Sequence, residues 1–133
     1  MIEAEQLNQI LVNAQADSDI LAVIVFGSYA RGESYHDIDV CLVLWQSRVP
    51  AVNSLQKEIA YSELGIDVHL FQDLPLYIRI KVLEEGIGRL VKDDDAYYDL
   101  VQITLRQWED FRPLFEAYLE EVLNEPKDSR EVG

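Results

Sequence analysis

Apolar positions along the chain recur first at helical and then at strand spacing. Leu7, Ile10, Leu11 and Ala14 fall three to four apart within residues 3–16, the period of an amphipathic helix, which Asp17 and Ser18 end. Ile20–Phe26 is short, β-branched and apolar on both parities, so it reads as a strand buried on both faces. Over residues 37–44, Asp37, Asp39 and Cys41 share one parity while Ile38, Val40 and Leu42 share the other, predicting a second strand with one polar patch. Pro50 opens a second helix over 51–64, marked by Val52, Leu55, Ile59 and Leu64, with Gly65 near its C-terminal end. A third strand over 65–71 puts Asp67 and His69 on one face and Ile66, Val68 and Leu70 on the other.

Residues 74–85 form a third helical segment beginning near Pro75, and 86–91 suit a short edge strand. Residues 93–124 are helical in composition, with Asp93, Asp94 and Asp95 at the start, where the helix dipole favours anions. Pro113, lacking an N–H, is expected to kink this helix or begin a new one. Tyr97, Tyr98, Val101, Leu105, Trp108, Phe111, Phe115, Tyr118, Leu119 and Val122 give it an aromatic stripe wider than one core face needs. Part of that stripe is expected on the sheet and part against a partner or a second copy of the chain, which makes a homo-oligomer through this helix an open possibility. Strands alternating with helices predict an α/β (α+β) fold with a small mixed sheet of three or four strands flanked by helices. Residues 1–124 form one domain, and 125–133 a polar tail.

Charge narrows the partners. Among 133 residues, 25 Asp and Glu stand against 11 Lys and Arg, a formal net charge of −14. No cluster of basic residues offers a footprint for nucleic-acid phosphates or an anionic membrane. The longest apolar run, Ile20–Phe26, falls far short of the ~20 residues a membrane span requires. The start, Met1-Ile2-Glu3, has no secretory pattern, and the only cysteine, Cys41, lies within an apolar strand and reads as a small buried side chain. These features suit a soluble cytoplasmic protein.

The chemistry concentrates between Phe26 and Val40. Residues two apart in a strand point the same way, so Asp37 and Asp39 present two carboxylates on one face, and Asp67 adds a third if its strand is the neighbour. Clustered carboxylates need a cation, and a hard divalent ion such as Mg²⁺, taking oxygen ligands between carboxylates and phosphates, suits them. Gly27 directly after the buried strand permits a tight turn, and Ser28 offers a hydroxyl to phosphate oxygens. Taken alone, Gly-Ser is an ordinary turn and Asp-x-Asp an ordinary solvated strand edge. Their order, with Asp67 mid-run in another apolar strand, describes phosphoryl or nucleotidyl transfer on metal-bound carboxylates. The two histidines and lone cysteine lack zinc-ligand spacing. His69 shares the parity of Asp67, which leaves two readings, a residue near the site and, the stronger, a strand histidine bonded to a neighbour.

Gly27-Ser28-Tyr29-Ala30-Arg31-Gly32 followed by Asp37-Ile38-Asp39 resembles the signature of the minimal nucleotidyltransferases (MNT), small members of the DNA polymerase β-like superfamily. The likeness extends to Asp67, more loosely to residues 74–86, and to the aromatic C-terminal helix around Trp108 and Phe111. The spacer from Gly32 to Asp37 is a little short, and His36 stands where the family usually has Ser. The resemblance implies a polymerase β-like fold, Gly27 and Ser28 at a triphosphate, and Arg31 either at phosphate or on the turn's surface. It further implies Asp37, Asp39 and Asp67 as catalytic acids and ligands of Mg²⁺, two ions in number.

Family members of this size are similar to antitoxins paired with a helical HEPN ribonuclease toxin. The implied reaction is transfer of AMP from ATP to a tyrosine hydroxyl of that toxin. The acidic surface and the lack of a second domain fit a protein acceptor better than RNA. Two competing readings are a binding module that neutralises its partner by contact alone, and a small-molecule nucleotidyltransferase.

Overall fold

The computed structural model describes residues 2–27, 38–62 and 66–124. Four strands, β1 (Ile20–Phe26), β2 (Asp39–Leu44), β3 (Asp67–Leu70) and β4 (Ile87–Val91), form one sheet in the order β3-β2-β1-β4. β1 runs antiparallel to both its neighbours, and β2 pairs with β3 in parallel. Between those two parallel strands the chain makes the crossover that parallel pairing requires, through a 3₁₀ turn (Gln46–Ala51) and helix α2 (Ser54–Ser62). Helix α1 (Ile2–Ala16) precedes the sheet, α3 (Leu76–Glu85) joins β3 to β4, and α4 (Asp94–Leu123) closes the described chain. This is the expected mixed sheet with flanking helices and a long C-terminal helix.

Each face of the sheet has its own core. Ile20, Val23 and Val25 of β1 with Val40, Leu42 and Leu44 of β2 pack against Leu7, Ile10 and Ala14 of α1 and Tyr61 of α2. On the opposite face, Leu21, Ala22, Ile24, Cys41 and Val43 meet Phe71, Val82 of α3 and Leu100 of α4. Strict alternation would set Ile20 with Ala22 and Ile24, but the β1–β2 register shifts between Ile20 and Ala22. That bulge turns Leu21 and Ala22 to the same side, so every β1 side chain reaches one of the two cores. Gly86, just after α3, lies so close to Ile24 Cγ2 and Val82 O that a Cβ would overlap both, which seats α3 tightly on β1.

Several boundaries differ from the pattern reading. β2 opens at Asp39, and Asp37 lies outside the described residues. The helix expected over 51–64 starts at Ser54, because Asn53 caps it through its Oδ1 accepting from Gln56 N at 2.9 Å, and Pro50 sits inside the preceding 3₁₀ turn. Leu64 and Gly65 lie outside the described residues. β3 stops at Leu70, and the Gln72 side chain takes over its ladder with two bonds to the Leu44 backbone, from Leu44 N at 3.2 Å and to Leu44 O at 2.9 Å. Pro113 neither ends nor restarts the last helix, which continues through it from Asp94 to Leu123 behind an Asp93 cap.

Candidate active site

The sheet's chemistry gathers where β1 ends and β2 and β3 begin. Phe26 pairs with Asp39 in the β1–β2 ladder, and Asp39 pairs with Asp67 in the parallel β2–β3 ladder. Two expected acids therefore stand side by side on adjacent strands, on the face that Cys41 shares. Asp67 is exposed, while the Asp39 side chain keeps 32% of its accessible surface. Gly27 follows with φ +79°, and a Cβ built on it would lie 2.6 Å from Asp39 Oδ2. Glycine is thus required twice, for the left-handed turn and for the carboxylate against it. Ser28, Arg31, His36 and Asp37 lie outside the described residues, and among the described ones no three metal-ligating side chains gather.

His69 stands where its parity with Asp67 put it. Its Nε2 is 3.8 Å from Asp39 Oδ1, too long for a hydrogen bond, and its ring meets Phe26 edge-on with centroids 5.8 Å apart. Cys41, opposite His69 in the ladder, is fully buried, and burial pushes its thiol far above the usual range, leaving it inert.

Beside Gly27 opens a cleft of about 480 Å³, lined by Phe26, Gly27, Ile78, Lys81, Val82 and Glu85. That volume lies in the range of small-molecule and cofactor sites. Four of these residues come from α3, which the sequence reading left without a role at the site. Their spacing, 78, 81, 82 and 85, marks one helical face, and the helix's place directly after the Asp67 strand was the signal available.

A family model described as "Polymerase beta, Nucleotidyltransferase" matches residues 5–96, which contain the whole sheet and both paired acids. No curated protein matches the sequence. Among solved structures, a chain of a toxin–antitoxin complex with AMP-PNP superposes with a TM-score of 0.65 at 16% identity, over 90% of this chain and 97% of that one. A chain of the complex of tri-AMPylated Shewanella oneidensis HEPN toxin with MNT antitoxin gives 0.64 at 16% identity, over 92% and 99%. A chain of the MntA-HepT toxin–antitoxin complex gives 0.64 at 15%, over 90% and 98%. At such identities the likeness is one of fold.

Proposed function

The chain belongs to the polymerase beta nucleotidyltransferase family, and from that premise we propose that it is a Mg²⁺-dependent antitoxin of the MNT kind, transferring AMP from ATP to a tyrosine hydroxyl of a HEPN-type toxin. The observation that carries this reading is the register of Asp39 against Asp67 beside the left-handed Gly27. The structural likeness to toxin–antitoxin chains, one of them with an ATP analogue, supports the choice of substrate and partner. The single buried cysteine fits a cytoplasmic setting.

The donor set fits the ion. Two carboxylates on adjacent strands offer the hard oxygens Mg²⁺ prefers, and the missing Cβ of Gly27 lets the Asp39 carboxylate sit against the turn. Asp37, Asp39 and Asp67 would hold it. When bound, the ion supplies charge neutralisation for the triphosphate and the departing pyrophosphate. The chain's own residues do the rest. Gly27 lets the backbone approach the phosphates, Ser28 and Arg31 bind their oxygens, and the cleft at Phe26 and α3 receives the nucleoside. As the tyrosine oxygen attacks the α-phosphorus and the bond to pyrophosphate breaks, Asp67 takes the hydroxyl proton.

The test is incubation of the purified protein with ATP labelled at the α-phosphate, Mg²⁺ and the product of the adjacent gene. Label is expected on that partner, and Asp39→Asn lowers the transfer rate about a thousandfold or more, in line with loss of a metal ligand worth several kcal/mol, at an unchanged melting temperature. A complex that forms while label never reaches the partner would favour neutralisation by contact alone.

A further inference from the structure

We propose that the exposed aromatic surface running from α3 onto the C-terminal half of α4 is where the acceptor protein docks, and that the acceptor meets it with an apolar face rimmed by lysine and arginine. The inference rests on the reading above that the acceptor is a protein. α4 spans 30 residues, yet its buried residues are Leu100 and Thr104, both outside the aromatic stripe expected from the sequence. Tyr97 packs on the core, whereas further along the helix Trp108 and Phe115 are half-buried and Phe111, Tyr118 and Leu119 are exposed. Trp108 and Phe115 lie 5.6 Å apart, and Phe115 stacks on Tyr77 of α3 at 5.3 Å. On the same stretch of α4, Leu114 is 70% and Tyr118 61% exposed. Contiguous aromatic surface of this kind is the composition of an interface core rather than of a solvated helix.

Two further observations say what covers it. Lys81 lines both the cleft at Gly27 and a hollow of about 210 Å³ formed with Tyr77, Trp108 and Phe115. A body seated on the aromatic surface therefore borders the nucleotide cleft directly, as an acceptor must. Residues 109–123 carry Glu109, Asp110, Glu116, Glu120 and Glu121 against one cation, Arg112, which is held by Glu116 at 3.4 Å. A second copy of a chain of charge −14 would set acids against acids, whereas a cationic rim would be drawn to them.

The experiment titrates the purified product of the adjacent gene into the full chain, its Leu114→Glu/Tyr118→Glu variant and its Asp39→Asn/Asp67→Asn variant. Both α4 positions are exposed, so the first variant should melt as the wild type does and bind a non-hydrolysable ATP analogue equally well. Its affinity for the partner should fall about thirtyfold or more, the loss of a hot spot, while the Asp39→Asn/Asp67→Asn variant still binds. Undiminished partner binding by the α4 variant overturns the docking surface and leaves the catalytic reading standing. Wild-type binding that the α4 variant weakens, with no label transferred, keeps the docking surface and removes the catalytic reading. A concentration-dependent dimer that the same variant dissolves, with partner binding unaffected, assigns the surface to a second copy and overturns the proposal.

Discussion

The sheet carries a pair of acids at each end, and the two pairs have opposite surroundings. At the start of β1, Asp17 and Asp19 share Lys57 Nζ, at 2.8 and 3.0 Å, across side chains only 18% exposed. Arg48 Nε reaches Asp19 Oδ1 at 2.6 Å, Tyr61 donates to Asp17 Oδ2 at 2.9 Å, and Lys92 Nζ donates to the Asp17 carbonyl at 2.7 Å. These acids are neutralised by the protein's own cations, and they tie α2, β1 and the end of β4 together. At the far end, Asp39 and Asp67 face each other across a parallel ladder with a glycine and a histidine beside them. The first pair is a structural clasp, while the second stands at a left-handed glycine turn beside the cleft, where the proposed chemistry would take place. A net charge of −14 conceals this division, because it counts both pairs alike.

Disturbing the Asp39–Asp67 pair should affect activity more than stability. In Gly27→Ala the new methyl would meet Asp39 Oδ2, the tip of a side chain that can swing aside, so the fold should survive with the carboxylate displaced. The left-handed φ adds roughly 1–2 kcal/mol of strain. The proposed AMP transfer is expected to drop about a hundredfold, as it would if Asp39 is a catalytic group misplaced by about an ångström, with a small fall in melting temperature. Full activity in this variant would show that Asp39 needs no fixed position. Breaking the clasp should do the reverse. Lys57→Met leaves Asp17 and Asp19 partly buried without their shared ammonium, a loss of roughly 1–3 kcal/mol read by denaturant unfolding, with transfer per folded molecule unchanged.

Why the two ends were unequally legible in the sequence follows from what sets them. Ile20–Phe26 was readable to the residue because an all-apolar, β-branched run has few other uses, whereas Asp67, expected mid-run, opens its strand. Pairing Asp39 with Asp67 required guessing that β3 joins β2 in parallel, which the order of acids suggested and periodicity alone did not. The clasp escaped notice, because Asp17 and Asp19 meet Lys57 some 40 residues later, through a crossover whose docking is tertiary. The α3 wall of the cleft was missed for the same reason: helical spacing marks a face but not what lies opposite. Pro113 does not divide α4, and the carbonyl of Glu109 that its missing N–H leaves unpaired lies on an exposed stretch of the helix where water can take it.

The finest separation of the two pairs is their response to pH. At the clasp, burial pushes the Asp17 carboxyl up, but hydrogen bonds from Lys57, the Asp19 amide and Tyr61 outweigh it and hold the group below its ordinary 3.8. Asp19 is held below the same value, chiefly by Arg48 and then Lys57. Lys57 sits above its ordinary 10.5, because the two carboxylates outweigh the burial that opposes its charge. A carboxyl depressed in the folded state binds fewer protons there than when unfolded, so its stabilisation is complete above 3.8 and is lost as pH falls below that value. A raised lysine contributes below 10.5, and its share disappears as pH climbs through its higher folded value. The melting temperatures of wild type and Lys57→Met should therefore differ by a constant amount across the neutral range and converge at both extremes. Other acids titrate equally in the two proteins, so the difference between the curves isolates the clasp. A gap that persists undiminished at about pH 2 would mean that Lys57 stabilises through its buried methylenes rather than its charge.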